Sequence, residues 1–158
     1  YYYSQPFYAV EGVLILPGGE VPVTGNAWLD REYSSQPLSA DQTGWDWFSL
    51  SLGEGKLMGF LLRQADGSAY SSASWIDPDG TLTAYPDGAF AAVPLARDGR
   101  RDIPTTWRVT LPDRGVDVVV EALNPDAWMA VSVPYWEGPV TVTGSHDGFG
   151  YLEMTGYE

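Results

Sequence analysis

The sequence predicts an antiparallel all-β fold, an up-and-down barrel of about ten strands. Three observations carry this reading. The 18 Gly and 12 Pro are scattered and not pooled. The segments between them alternate apolar and polar residues with period two. No stretch holds the 3.6-residue period of a long helix. A barrel is favoured over a sandwich because closure removes exposed strand edges. At 158 residues the chain is expected to form one domain over 1–158, with a core of its own.

Taken in order, residues 8–16 read as a strand closed by Pro17-Gly18-Gly19, and 21–33 as a second, long enough to bend at Gly25. Residues 44–52 and 56–64 form a hairpin around Gly53-Glu54-Gly55, followed by the turn Ala65-Asp66-Gly67. Residues 70–76 pair with 81–84 across Asp77-Pro78-Asp79-Gly80, where Pro and Gly preset a tight reversal. Residues 105–111 and 115–123 flank Pro112-Asp113-Arg114, the second arm being the β-branched run Val116, Val118, Val119, Val120. Residues 135–144 and 149–157 complete the set. The loop 34–41, rich in Ser, Gln and Pro, is a candidate lid, whereas 97–104, with Arg97, Arg100 and Arg101, reads as a solvated loop.

Composition narrows function. A formal charge of −13 repels phosphate backbones and anionic membranes, so nucleic acid is not an expected partner. There is no Cys, hence no disulfide, thiolate metal site or Cys nucleophile, and the single His146 cannot build a His-based metal site. Neither metal nor cofactor is expected. No apolar run approaches the ~20 residues of a membrane helix, and the first residues carry no signal-like pattern; a periplasmic or secreted location is favoured over a cytoplasmic one. Asp66, Asp79 and Asp87 precede glycines and read as turn residues.

The seven Trp and ten Tyr exceed what a core needs, and surplus rings suit a pocket. Alternation sets Trp28, Asp30 and Glu32 on one face of their strand and Arg31 and Tyr33 on the other. In the next strand Trp45, Trp47, Ser49 and Ser51 share a face, opposite Asp46, Phe48, Leu50 and Leu52. Glu137 follows Trp136, and Tyr151 and Glu153 alternate with Leu152 and Met154. A strand carboxylate among apolar neighbours has its charged form disfavoured and can serve as a general acid. Asp30, Glu137 and Glu153 are the candidate acids, and Trp28, Arg31, Tyr33, Trp45, Trp47, Trp136 and Tyr151 the candidate ligand-binding residues. The rings and acids are expected to face inward, around a hollow. For Asp30 and Arg31 a paired network bracing a barrel end is the competing reading.

The segments Gly25-Asn26-Ala27-Trp28-Leu29-Asp30-Arg31-Glu32, Gly44-Trp45-Asp46-Trp47-Phe48, Leu57-Met58 with Arg63, Tyr135-Trp136-Glu137-Gly138 and Gly150-Tyr151-Leu152-Glu153-Met154-Thr155-Gly156-Tyr157 resemble, in order and spacing, the carotenoid 1,2-hydratase superfamily. That group includes lipocalin-like proteins labelled predicted secreted hydrolases. The resemblance implies two lipocalin-like barrels in tandem, this chain matching the C-terminal one, with an N-terminal lipocalin-like domain or subunit as partner. It also implies an extended apolar ligand (isoprenoid, polyene or lipid) and cofactor-free acid-type hydration, isomerisation or cyclisation. The hydratases resembled carry an Asp in the strand aligned with Phe60-Leu61-Leu62-Arg63, which here holds none. The competing expectations are a non-catalytic carrier and a side-chain-filled barrel that docks a partner domain; a homodimer is a further expectation.

Overall fold

The computed structural model describes residues 1–35 and 38–157, and the chain divides into two compact units, Tyr1–Pro37 and Leu38–Glu158. The candidate lid 34–41 spans Gln36 and Pro37, which lie outside the described residues.

The first unit is a two-stranded antiparallel ribbon, β1 (Tyr2–Leu16) and β2 (Gly19–Glu32), joined by Pro17-Gly18. β1 begins six residues before the expected start. Pro6 reads as a breaker, but a β-bulge between Gln5 and Tyr8 absorbs it, and Tyr2 and Tyr3 pair on with Glu32 and Arg31.

The second unit is one curled antiparallel sheet, a lipocalin-like half-barrel. Its strands are β3 (Gln42–Leu52), β4 (Gly55–Gln64), β5 (Ala69–Ile76), β6 (Leu82–Tyr85), β7 (Ala91–Ala96), β8 (Thr106–Leu111), β9 (Val116–Ala122), β10 (Trp128–Met129), β11 (Tyr135–Gly144) and β12 (Gly148–Thr155). The order β6-β5-β4-β3-β12-β11-β9-β8-β7, with β10 also on β11, is an up-and-down ring in which β12 closes onto β3. Among the described residues no ladder joins β6 to β7. Two strands fall outside the expected set: β7, whose Pro94 interrupts its pattern, and β10, only two residues long.

Side chains stitch the open seam. Arg114, in the 3₁₀ turn Pro112–Arg114 between β8 and β9, donates from Nε to the Tyr85 hydroxyl (2.7 Å) and from Nη2 to Thr83 Oγ1 (2.8 Å). Its guanidinium also lies 5.2 Å from the Trp75 ring centroid. The expected turns form: Asp79 Oδ1 accepts the Thr81 N–H (2.9 Å) and Asp66 Oδ1 the Ser68 N–H (2.9 Å). Asp87 reaches further, accepting the Ser71 N–H at 2.7 Å.

The core is the inner face of this sheet. Phe48, Leu50 and Leu52 of β3, Leu57 of β4, Trp107, Val109 and Leu111 of β8, Val116, Val118 and Val120 of β9, and Leu152 and Met154 of β12 all alternate inward and are buried. Phe48 meets Phe90 and Trp107 edge-to-face, ring centroids 6.1 and 5.5 Å apart. Gly59 lets the Phe90 ring lie against β4, where a Cβ would collide with it. Side chains of the protein itself fill the middle of this half-barrel.

Candidate functional site on the outer face of the sheet

The expected orientation is inverted in β3. Trp45 and Trp47 face outward and are half-buried, while Asp46, Phe48, Leu50 and Leu52 face the core. The physical reason is on the strand: Ser49 and Ser51 share the Trp face, whereas the opposite face is aliphatic from Phe48 to Leu52 and matches the inward Val and Leu rows of β9 and β8. Glu137, Tyr151 and Glu153 also point outward. Among the described residues, Trp45, Trp47, Glu137, Tyr151 and Glu153 therefore meet on the outer face of this sheet and not around an inner hollow.

They meet in register. One level of the ladder runs Glu137, Glu153, Trp47, Phe60, Ser72 across β11, β12, β3, β4 and β5. Paired residues on one face of a sheet have Cβ atoms ~5 Å apart, so Glu137 and Glu153 form a like-charge cross-strand pair. Donors surround it. Trp45 Nε1 donates to Glu153 Oε1 at 2.8 Å. Burial and then the adjacent Glu137 carboxylate, which accepts from their hydroxyls, hold the phenols of Tyr135 and Tyr151 above the usual tyrosine range. The result is a strip of rings (Trp45, Trp47, Phe60, Tyr135, Tyr151) with two carboxylates set into it. Sequence reading missed Tyr135 and Phe60, which strand register alone brings to this face.

Of the other expected residues, one lies in the core and four belong to the first unit. Trp136 is inward, fully buried, and donates from Nε1 to the Pro125 carbonyl at 2.9 Å, so it is a core ring. Trp28, Asp30, Arg31 and Tyr33 belong to the first unit. There Asp30 accepts from Tyr2 Oη (2.5 Å) and from the Ser4 hydroxyl across the ribbon, and the Arg31 guanidinium lies 5.0 Å from the Tyr33 ring. Asp30 and Arg31 thus have separate partners within the ribbon. Trp28 Nε1 is buried with no hydrogen-bond partner.

A carboxylate the sequence reading left aside satisfies the electrostatic criterion. Asp46, 1 % exposed, accepts from Arg63 Nε (3.1 Å) and from the Tyr157 hydroxyl (2.9 Å). Arg63 stacks over the Tyr157 ring at 4.0 Å and reaches the Thr155 carbonyl. Burial pushes the Asp46 carboxyl up to about 6, with Arg63 and Tyr157 pulling it back. Its signal was present: alternation sets Asp46 on the same side as Phe48, Leu50 and Leu52. This cluster ties Tyr157 and Thr155 to Asp46 of β3 and Arg63 of β4. Among the described residues no group of His, Asp and Glu could hold a metal ion, and no helix is long and apolar enough to cross a membrane.

Fold and face together define a lipocalin-like half-barrel with an aromatic, acid-bearing exterior strip. The chain belongs to the AttH-like family, whose model matches residues 1–157. It is similar to the solved structure of an AttH-like protein from Nitrosomonas europaea, with 35% identity and TM-score 0.86 over 100% of this chain and 52% of that one. It also shares its fold with kievitone hydratase from Nectria haematococca, at 18% identity and TM-score 0.77, over 98% of this chain and 52% of that one. The chain thus spans about half the length of both structures. No curated protein matches it.

Proposed function

We propose that this chain binds an extended apolar ligand, an isoprenoid, polyene or lipid, along the outer face of β4, β3, β12 and β11, and that Glu137 and Glu153 supply acid-type, cofactor-free chemistry there. The observation that carries this reading is the Glu137–Glu153 pair. Like charges directly opposed on a sheet cost stability, and residues that break a local rule concentrate where function needs them. In a hydration, the protonated carboxyl gives its proton to one alkene carbon, water adds to the cation at the other, and the proton lost from that water returns to the carboxylate. Trp45, Trp47 and Tyr151 would bury the ligand and face the cationic carbon with their π clouds. The similarity in fold to a hydratase supports the reaction class.

The test is incubation with terpenoid, polyene and fatty-acid panels, following bound and altered ligand by mass. Uptake of one water that is lost in Glu137→Gln and Glu153→Gln, with binding retained, is the expected result. Ligand bound and never altered makes this a carrier. A filled interior, with Phe48, Trp107 and Trp136 at 0–1 % exposure, favours a second reading in which the same strip docks a second lipocalin-like unit; absence of binding by every panel member would select it.

A further inference from the structure

The chain has a single lysine, and it is buried. Lys56, near the start of β4, is 9 % exposed. It pairs with Ser51 of β3 and Ile76 of β5, and Phe149 of β12 lies on the same level beyond Ser51. Alternation sends Lys56 outward, since the next residue, Leu57, is in the core. Its Nζ donates to the outward Ser51 Oγ at 2.7 Å. Lys56 therefore shares a face with the Glu137–Glu153 pair, at the other end of the strip. Among the described residues, the outward positions of β11, β12, β3, β4 and β5 carry no second cation. Ser49, Met58, Tyr151, Phe60 and Trp47, which lie between the lysine and the two acids, are uncharged.

Resting on the ligand reading above, we propose that the ligand is a long-chain carboxylic acid whose head seats on Lys56 and Ser51. Its apolar chain crosses Met58, Tyr151 and Trp47, and its far end lies at Glu137 and Glu153.

The two ends of the strip differ in charge, and this fixes direction. The opposed glutamates repel an anionic head, whereas the ammonium attracts it. Burial pulls the Lys56 amine below the ordinary lysine range, and an oxyanion seated beside it favours the charged form again. One ammonium next to one hydroxyl matches a singly charged group with two oxygens. A phosphate monoester brings more charge and more acceptors than these donors can meet, on a chain whose net charge is already −13.

Length agrees with the class. Glu153 lies four residues along and two strands across from Lys56. At ~3.4 Å per residue and ~4.8 Å per strand this is on the order of 17 Å, the reach of an extended myristic acid chain. The carbons presented to the Glu137–Glu153 pair are then those furthest from the carboxylate, so the reactive double bond is remote from the head.

The full chain is titrated calorimetrically at neutral pH with myristic acid, myristyl alcohol, myristyl phosphate and myristyltrimethylammonium, each below its micelle concentration. Myristic acid is expected to bind about tenfold or more tighter than the alcohol of the same length. Lys56→Met keeps the length of the side chain and should bring the acid to within about twofold of the alcohol, with binding of the alcohol unchanged. Lys56→Arg should retain most of the preference. Near-UV circular dichroism checks the fold of each variant, and Lys56→Gln repeats the test if the Met variant loses its native spectrum. Equal binding of acid and alcohol overturns the carboxylate site and leaves the apolar strip standing. So does a preference that survives Lys56→Met, or tighter binding of the phosphate or the trimethylammonium probe. Binding of none of the four overturns both readings.

Discussion

Tyr157, almost at the end of the chain, donates its hydroxyl hydrogen to Asp46 at 2.9 Å, and the two are 111 residues apart. The contact is the closure of the half-barrel at side-chain level: β12 lies beside β3, and Gly156, at φ +78°, turns the chain so that Tyr157 reaches the inward carboxyl of β3. Arg63 completes the cluster from β4.

Asp46 makes stability fall as pH rises. Its carboxyl is raised to about 6 in the folded chain, against an ordinary value of 3.8, chiefly by burial. The folded state therefore binds this proton more tightly than the unfolded one. The contribution is fully present below about pH 4 and is lost as pH climbs through about 6. Between about pH 4.5 and 7.5, wild type should lose about 2 kcal/mol relative to Asp46→Asn in urea unfolding. Equal pH slopes for the two proteins would refute this. Asp66, Asp79, Asp87 and Asp117 are held below 3.8 by hydrogen bonds to Ser68, Thr81, Ser71 and Arg108 respectively. They act in the opposite sense and at lower pH, leaving the window clear.

Relieving the opposed pair on the exterior should stabilise the fold. Glu137→Gln keeps an acceptor for Tyr135 and Tyr151 and removes one of two like charges facing each other across β11 and β12. A gain of about 0.5 kcal/mol at neutral pH is expected, read as a higher urea midpoint with unchanged m-value. A loss of stability would mean that the Glu137 charge itself is needed by its neighbours.

Arg114→Ala should loosen the seam. The variant removes the donors to Tyr85 and Thr83 and the ring contact with Trp75. About 1–2 kcal/mol of stability is expected to go, and amide exchange in β6 should quicken more than in β11. Uniform acceleration across the sheet would show that Arg114 acts globally and not at the seam.

Gly59→Ala tests the packing of the filled interior. The new methyl would collide with the Phe90 ring, and overpacking of this kind costs about 1–3 kcal/mol. Thermal unfolding should report it as a drop in Tm, partly restored by Phe90→Leu. A variant as stable as wild type would indicate free space beside Phe90.

Period-two alternation and Gly/Pro punctuation made the strands legible, because both act within a few residues of chain. What they could not assign was the side that faces the core. In β3 both faces are apolar enough to be buried, and the choice fell to Ser49 and Ser51, which mark the Trp face as the outer one, and to the Val rows of β9 that face Phe48. The ring-and-acid set Trp45, Trp47, Glu137, Tyr151 and Glu153 was found as a set because each lies in an alternating strand. Its placement outside depended on long-range pairing. Asp46 was legible in principle, as the single carboxylate on an otherwise apolar face. Nothing local announced Arg63 and Tyr157 as its partners, since they come from one strand away and from the far end of the chain. The start of β1 and the whole of β7 escaped the pattern for one reason: a proline in mid-chain is an ordinary strand residue once it sits at a bulge or on an edge.

Pro94 has a wider effect. β7 is the last strand on its side of the sheet, and a residue without an N–H there leaves that rim one donor short of a continuous template. On the other side β6 spans only four residues and stops before Pro86. A half-barrel that never seals its ladder could recruit stray strands along both margins; these two prolines keep it from growing.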